Sequence, residues 1–205
     1  MAEAKISIPA FEKKVTLQTL QGQKVMRRSY ERTANSLYRI DVILRIIGDE
    51  DNAARVEAVI DSMIKEIEEA MHKDMSARGA EIENHGIDEL PGYNAPVHHT
   101  VQITSPHVSR YLHLVLQVDS LVQHIDALWL SGALTNKERN DAVYAWQQKV
   151  IGLGSRIIGL ERRARQAARR QGKEDEVEEA APRESAEKAP ETKAESEPAK
   201  EAAPA

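Results

Sequence analysis

The chain has 205 residues, no cysteine, a single phenylalanine, 30% charged residues and a net charge of −5. Without cysteine there is no disulfide framework, no zinc–thiolate site and no thiol nucleophile. The charge is unevenly spread: residues 173–205 hold 4 Lys and 1 Arg against 10 Glu and 1 Asp, a net −6, which leaves 23 basic and 22 acidic groups in residues 1–172. A body that is close to neutral neither demands nor forbids nucleic acid, since what counts is where the charge clusters.

The start, Met1-Ala2-Glu3-Ala4-Lys5, lacks the apolar run of a signal peptide, and no later stretch approaches the roughly 20 apolar residues needed to span a bilayer. A soluble cytoplasmic protein with no membrane partner is therefore expected. Residues 1–13 read as a flexible N-terminus. From Lys14 to Leu20 the pattern alternates, with Val15 and Leu17 on one side and Thr16 and Gln18 on the other, as in a half-buried strand. A helix is predicted from about Gln23 to Ile47, with Tyr30, Ala34, Leu37, Ile40, Leu44 and Ile47 at steps of three or four. Gly48-Asp49-Glu50-Asp51-Asn52 ends it, and a second helix follows from about Ala53 to Ala77, carrying Val56, Val59, Ile60, Met63, Ile64 and Ile67 on its stripe. These two helices are expected to form an antiparallel hairpin.

A turn-rich loop from Asn84 to Pro96 precedes a second alternating run, Val97 to Thr104, with His99, Val101 and Ile103 against His98, Thr100 and Gln102. Ser105-Pro106 pairs a capping residue with proline at the first helical position, which starts a third helix over about Pro106–Leu130. Thr135-Asn136-Lys137-Glu138 is a capping box, and a fourth helix runs from there to about Gln171. Beyond Gly172 the chain is Ala, Glu, Lys, Pro and Ser with little apolar mass, and reads as a disordered acidic tail.

The fold class expected is mainly α: two helical hairpins, and two short strands forming an antiparallel ribbon, ribbon-helix-helix-like, with a disordered C-terminal tail. The divisions are 1–13, a helical regulatory domain over 14–172, and the tail over 173–205. The order strand, helix, helix occurs twice. An offset of 84 sets Thr16 on Thr100, Leu17 on Val101 and Gln18 on Gln102, so an outward Thr-x-Gln pair recurs. Neither strand can satisfy its ladder groups alone, so the two should pair antiparallel, within one chain or between two.

Enzyme chemistry finds little support, and neither catalysis nor a cofactor is expected. Gly152, Gly154 and Gly159 lie inside a helical pattern, where small residues allow close packing or a bend, and not between a strand and a helix as a phosphate loop requires. His98 and His99 are adjacent in a strand and point to opposite faces, so they cannot share a metal ion. Binding is better served. A two-stranded ribbon fits the major groove of DNA, where His98, Thr100 and Gln102, with Thr16 and Gln18, have side chains suited to base edges. The competing reading is an ordinary amphipathic strand with a wet outer face. Arg162, Arg163, Arg165, Arg169 and Arg170 cluster near the end of the fourth helix, either complementing its dipole or gripping phosphates. Trp129 and Trp146 occupy apolar helical positions and read as core.

Two segments carry a resemblance: Val97–Leu134, VHHTVQITSPHVSRYLHLVLQVDSLVQHIDALWLSGAL, and Val15–Thr33, VTLQTLQGQKVMRRSYERT. Their order of strand, Ser-Pro helix start and Gly-Ala-Leu helix end resembles the AcaB-like family of conjugative plasmids and integrating conjugative elements, over roughly residues 14 to 165. The resemblance implies a sequence-specific DNA-binding transcriptional regulator, an activator of conjugative-transfer genes, built on a ribbon-helix-helix arrangement. Double-stranded DNA is the implied partner, with a homodimer and the transcription machinery as further candidates. It places His98, Thr100 and Gln102 toward the bases. Because the turn at Gly48-Asp49-Glu50-Asp51 is acidic, phosphate contacts are assigned to the second half, at Thr135, Asn136 and Lys137. The alternative is a structural or accessory adaptor of the conjugation machinery whose hairpins bind partner helices.

Overall fold

A computed structural model of the chain describes residues 9–182. It contains two strands and five helical rods. Strand β1 (Phe11–Leu17) leads into the first rod, which is continuous from α1 (Leu20–Val25) through a π-helical segment (Met26–Tyr30) into α2 (Glu31–Ile47). Helix α3 (Glu50–Asn84), strand β2 (Val97–Ile103), α4 (Pro106–Leu130), α5 (Asn136–Arg170) and α6 (Glu174–Ala180) follow.

Local chemistry sets most of the boundaries. Thr19 caps α1, its side chain accepting from the Gly22 N–H. Gly48, at φ +70, takes the left-handed conformation that closes α2 and returns its N–H to Leu44 O. Ser105 caps α4 ahead of Pro106, and Thr135 caps α5 in a reciprocal capping box with Glu138, both as the sequence indicates. Helix α3 runs past Ala77 to Asn84 because nothing in Arg78-Gly79-Ala80 forces an end. Arg78 there bonds Glu81 at 2.8 Å, and Asp74 accepts from Trp146 Nε1 at 2.6 Å.

The two strands pair antiparallel within the one chain, in the register Phe11↔Ile103, Glu12↔Gln102, Lys14↔Thr100, Thr16↔His98 and Leu17↔Val97. The expected flexible N-terminus is corrected here, since Phe11, Glu12 and Lys13 belong to β1. The paired hairpins are also corrected. Helices α2 and α3 meet only sparingly; α2 lies chiefly along α5, and α3 along α4, so each half of the chain packs against the other half. Connectivity does not make neighbours when both helices carry a wide apolar stripe that a better-matched partner can cover.

Helix α4 is the centre of the molecule. Val108, Tyr111, Leu114, Val115, Val118, Leu121, Ile125 and Leu128 are all fully buried, the mark of a helix enclosed on nearly every side. At Gly154 on α5 a Cβ would lie 2.4 Å from Thr33 Oγ1 and 2.7 Å from the Tyr111 hydroxyl, so only glycine allows α5 to approach α2 and α4 there. The reading of residues 173–205 as a tail outside the fold is corrected for its first turns. Val177 is buried against Ile43, Ala164 and Ala168, Ala181 is buried as well, and Lys173 Nζ donates to Ile46 O at 2.6 Å, capping α2. Residues 183–205 of that expected tail lie outside the described residues.

The ribbon is fastened at one point above all. Buried Asp119 on α4 accepts from the N–H of Gln18 at 2.9 Å, the N–H of Thr19 at 2.8 Å and the hydroxyl of Thr19 at 2.7 Å. Gly22 faces the same carboxylate, where a Cβ would meet Asp119 Oδ1 at 2.4 Å. Asp119→Ala strands three donors and is expected to lower the free energy of unfolding by about 3 kcal/mol, against about 1 kcal/mol for Thr19→Val. Urea titration with both variants measures the difference.

Candidate nucleic-acid interface

The outer face of the ribbon is a small, continuous polar surface. Alternation points Glu12, Lys14 and Thr16 of β1 outward with His98, Thr100 and Gln102 of β2, and all six are exposed. The Thr16 hydroxyl and His98 Nδ1 lie in hydrogen-bond contact at 2.8 Å. Lys14 stands across from Thr100, and Glu12 across from Gln102. The inner face is apolar at Val15, Leu17 and Val101, which join the core.

Several contacts hold this surface still. At one end Asp119 grips the turn after β1 and Gln23 Nε2 donates to Leu17 O at 3.2 Å and Ala95 O at 2.9 Å. At the other, the Tyr30 hydroxyl donates to Gln102 O at 3.2 Å, and burial pushes that phenol up to about 12, so it remains a donor at any physiological pH. The loop before β2 is tied down where the Tyr93 hydroxyl donates to Asp126 Oδ2 at 2.8 Å, beside the Arg139 guanidinium on the same carboxylate.

No family model and no curated protein matches the chain. Among solved structures, the crystal structure of selenomethionine-containing AcaB from uropathogenic E. coli superposes with a TM-score of 0.85 at 46% identity, covering 89% of this chain and 94% of that one. The chain belongs to the AcaB family.

In this AcaB-family fold the sequence-predicted residues do not all converge. Thr16, His98, Thr100 and Gln102 share the outer face of the ribbon. Gln18 does not: β1 ends at Leu17, and the Gln18 N–H is committed to Asp119 with the residue half-buried, so its assignment to the base-reading face is corrected. The offset of 84 misled because antiparallel strands run against each other; Thr16 faces His98, and Thr100 faces Lys14. Glu12 and Lys14 were missed for the same reason, although period-two counting back from Thr16 reaches both.

The cations of α5 are dispersed. Lys137 and Arg162 sit 25 residues apart in sequence, which is roughly 37 Å along a helix. Thr135 and Asn136 are occupied locally: the Thr135 N–H and hydroxyl both go to Glu138 Oε2, and Asn136 Oδ1 accepts from Trp129 Nε1 at 2.7 Å. Those Thr135 bonds hold the Glu138 carboxyl below its usual range, so an anion already sits at this helix start. Lys137 itself is exposed. Arg165 is corrected as a DNA contact: its guanidinium is largely covered, bonding Glu161 Oε1 at 2.9 Å and Ala181 O at 2.6 Å. Arg169 pairs with Glu174 at 3.1 Å, while Arg162 and Arg163 are exposed. Trp146 is core as expected; Trp129 is only half-buried, stacked under Arg139.

His99 introduces a pH dependence on the ribbon's inner side. Its Nε2 is buried without a hydrogen-bond partner among the described residues. Burial, and then the nearby His98, hold its imidazole below the ordinary 6.5. Between that ordinary value and the lower folded one, the unfolded chain takes up a proton that the folded chain refuses. Stability is therefore full above about pH 6.5 and falls as the pH drops through that window. His99→Leu is expected to remove this loss, measured as the urea midpoint between about pH 7.5 and 5.

Proposed function

We propose that this protein is a sequence-specific DNA-binding regulator that inserts its single-chain ribbon into the major groove, and that it serves as an activator of conjugative-transfer genes. The observation that carries the reading is the ribbon itself: six exposed polar side chains on one face of a two-stranded sheet, anchored at both ends. A ribbon of this kind matches the width of the major groove. The residue types suit base edges, since Gln pairs with adenine, Lys reaches guanine acceptors, Glu accepts from cytosine and Thr touches a thymine methyl. The ribbon-helix-helix description follows the same reading, with each strand entering a pair of long helices and the usual two copies supplied by the two halves of one chain. Lys137, which is exposed, would supply a phosphate contact that adds salt-dependent affinity without sequence information.

Replacing Lys14, Thr100 or Gln102 with Ala is expected to cost about 1–3 kcal/mol each in binding to a preferred site while leaving nonspecific binding nearly unchanged. Binding of duplex fragments from the protein's own genetic element, across a salt series, provides the measurement. Absence of any preferred fragment at low salt, or full activity of the Ala variants, would overturn the reading and favour an adaptor that binds protein partners.

A further inference from the structure

Away from the ribbon, a groove of about 280 Å³ opens between the first rod and α5, lined by Arg28, Ser29, Arg32, Thr33, Ser155 and Arg162, with Ile151 and Ile158 as apolar walls. Three arginines line it, and none of the three is in an ion pair among the described residues. Surface arginines that serve only solubility are ordinarily dispersed among carboxylates; here no acidic side chain lines the groove. Beneath the groove Thr33 is fully buried, its hydroxyl closed in between Gly154 and the Tyr111 hydroxyl.

The backbone at this place is also unusual. Arg28 and Ser29 belong to the π-helical segment, and such segments within α-helices occur often at functional sites. Across from them, Gly154 lets α5 close tightly over Thr33, where a Cβ would lie 2.4 Å from its Oγ1. Ser155 stands at the rim, its hydroxyl donating to Ile151 O at 3.1 Å.

We propose that this groove binds the phosphoryl group of a small phosphomonoester, the three arginines neutralising its charge and donating its hydrogen bonds. Planar guanidinium groups match phosphate oxygens two at a time, which is the geometry a cluster of three can exploit. The volume lies just under the usual range of ligand sites, roughly 300–1,000 Å³, which suits a phosphoryl group on a compact body and excludes a dinucleotide. The site is distinct from the ribbon, although Tyr30, the last residue of the same π-helical segment, donates to Gln102 O on β2.

Calorimetric titration of the full chain with inorganic phosphate and with a nucleoside monophosphate, at constant ionic strength, tests the assignment. Saturable binding to one site per chain is expected, weakened about tenfold or more by Arg32→Gln and by Arg162→Gln. Arg163→Gln, at an exposed neighbour outside the groove, should stay within about twofold of the parent. Because all three positions are exposed, the variants should fold, and their unfolding midpoints check this. Equal loss in Arg163→Gln would mean diffuse charge attraction and overturn the proposal. So would the absence of saturable binding, including the case in which Arg32→Gln and Arg162→Gln weaken only duplex DNA, which would make the groove a backbone contact.

Discussion

One buried carboxylate, that of Asp119, takes hydrogen bonds from two backbone N–H groups and one hydroxyl at the exit of β1. A two-stranded ribbon is at best marginally stable alone, since half its surface and both its edges face water. What turns it into a fixed surface is its attachment to α4, the most deeply buried helix. Strand β1 is attached through Asp119, and β2 through the Ser105-Pro106 start of α4 itself. Both strands are thus referred to one rigid element, and the outer face inherits the order of the core.

The same economy appears in the way the halves of the chain share their cores. Because α2 lies along α5 and α3 along α4, neither strand-helix-helix unit has a complete core without the other. Buried polar contacts fix the registration of this exchange. Ser36 on α2 donates to Glu161 on α5 at 2.6 Å, Glu161 pairs with Arg165, and Arg165 reaches Ala181 beyond α6. On the opposite side Arg110 of α4 holds Glu68 of α3 in a two-point contact at 3.0 and 2.7 Å. Paired charges of this kind contribute modestly to stability but penalise any other alignment of the rods.

The sequence made the elements legible wherever a local signal existed. Ser105-Pro106 and Thr135 through Glu138 marked two helix starts correctly, and the alternation of His98, Thr100 and Gln102 identified β2. Features set by tertiary packing were not legible. Nothing local says that α2 prefers α5 to α3, that Gln18 lies beyond the last strand pair, or that Val177 finds a pocket of Ile43, Ala164 and Ala168 despite its acidic surroundings. The arginine run of α5 looked uniform in sequence, yet the fold divides it. Arg165 is internal, Arg169 is paired, and Arg162 joins Arg28 and Arg32, more than 120 residues away, around one groove.

One chain builds its own ribbon and needs no second copy to do so. The absence of native cysteine makes a direct measurement available. Thr16→Cys and His98→Cys, introduced together at directly opposed positions, should form a disulfide on mild oxidation. A cross-link within one chain is expected, at monomer mass and at a rate independent of protein concentration. Cross-linking only between chains, giving covalent dimers whose yield rises with concentration, would contradict it.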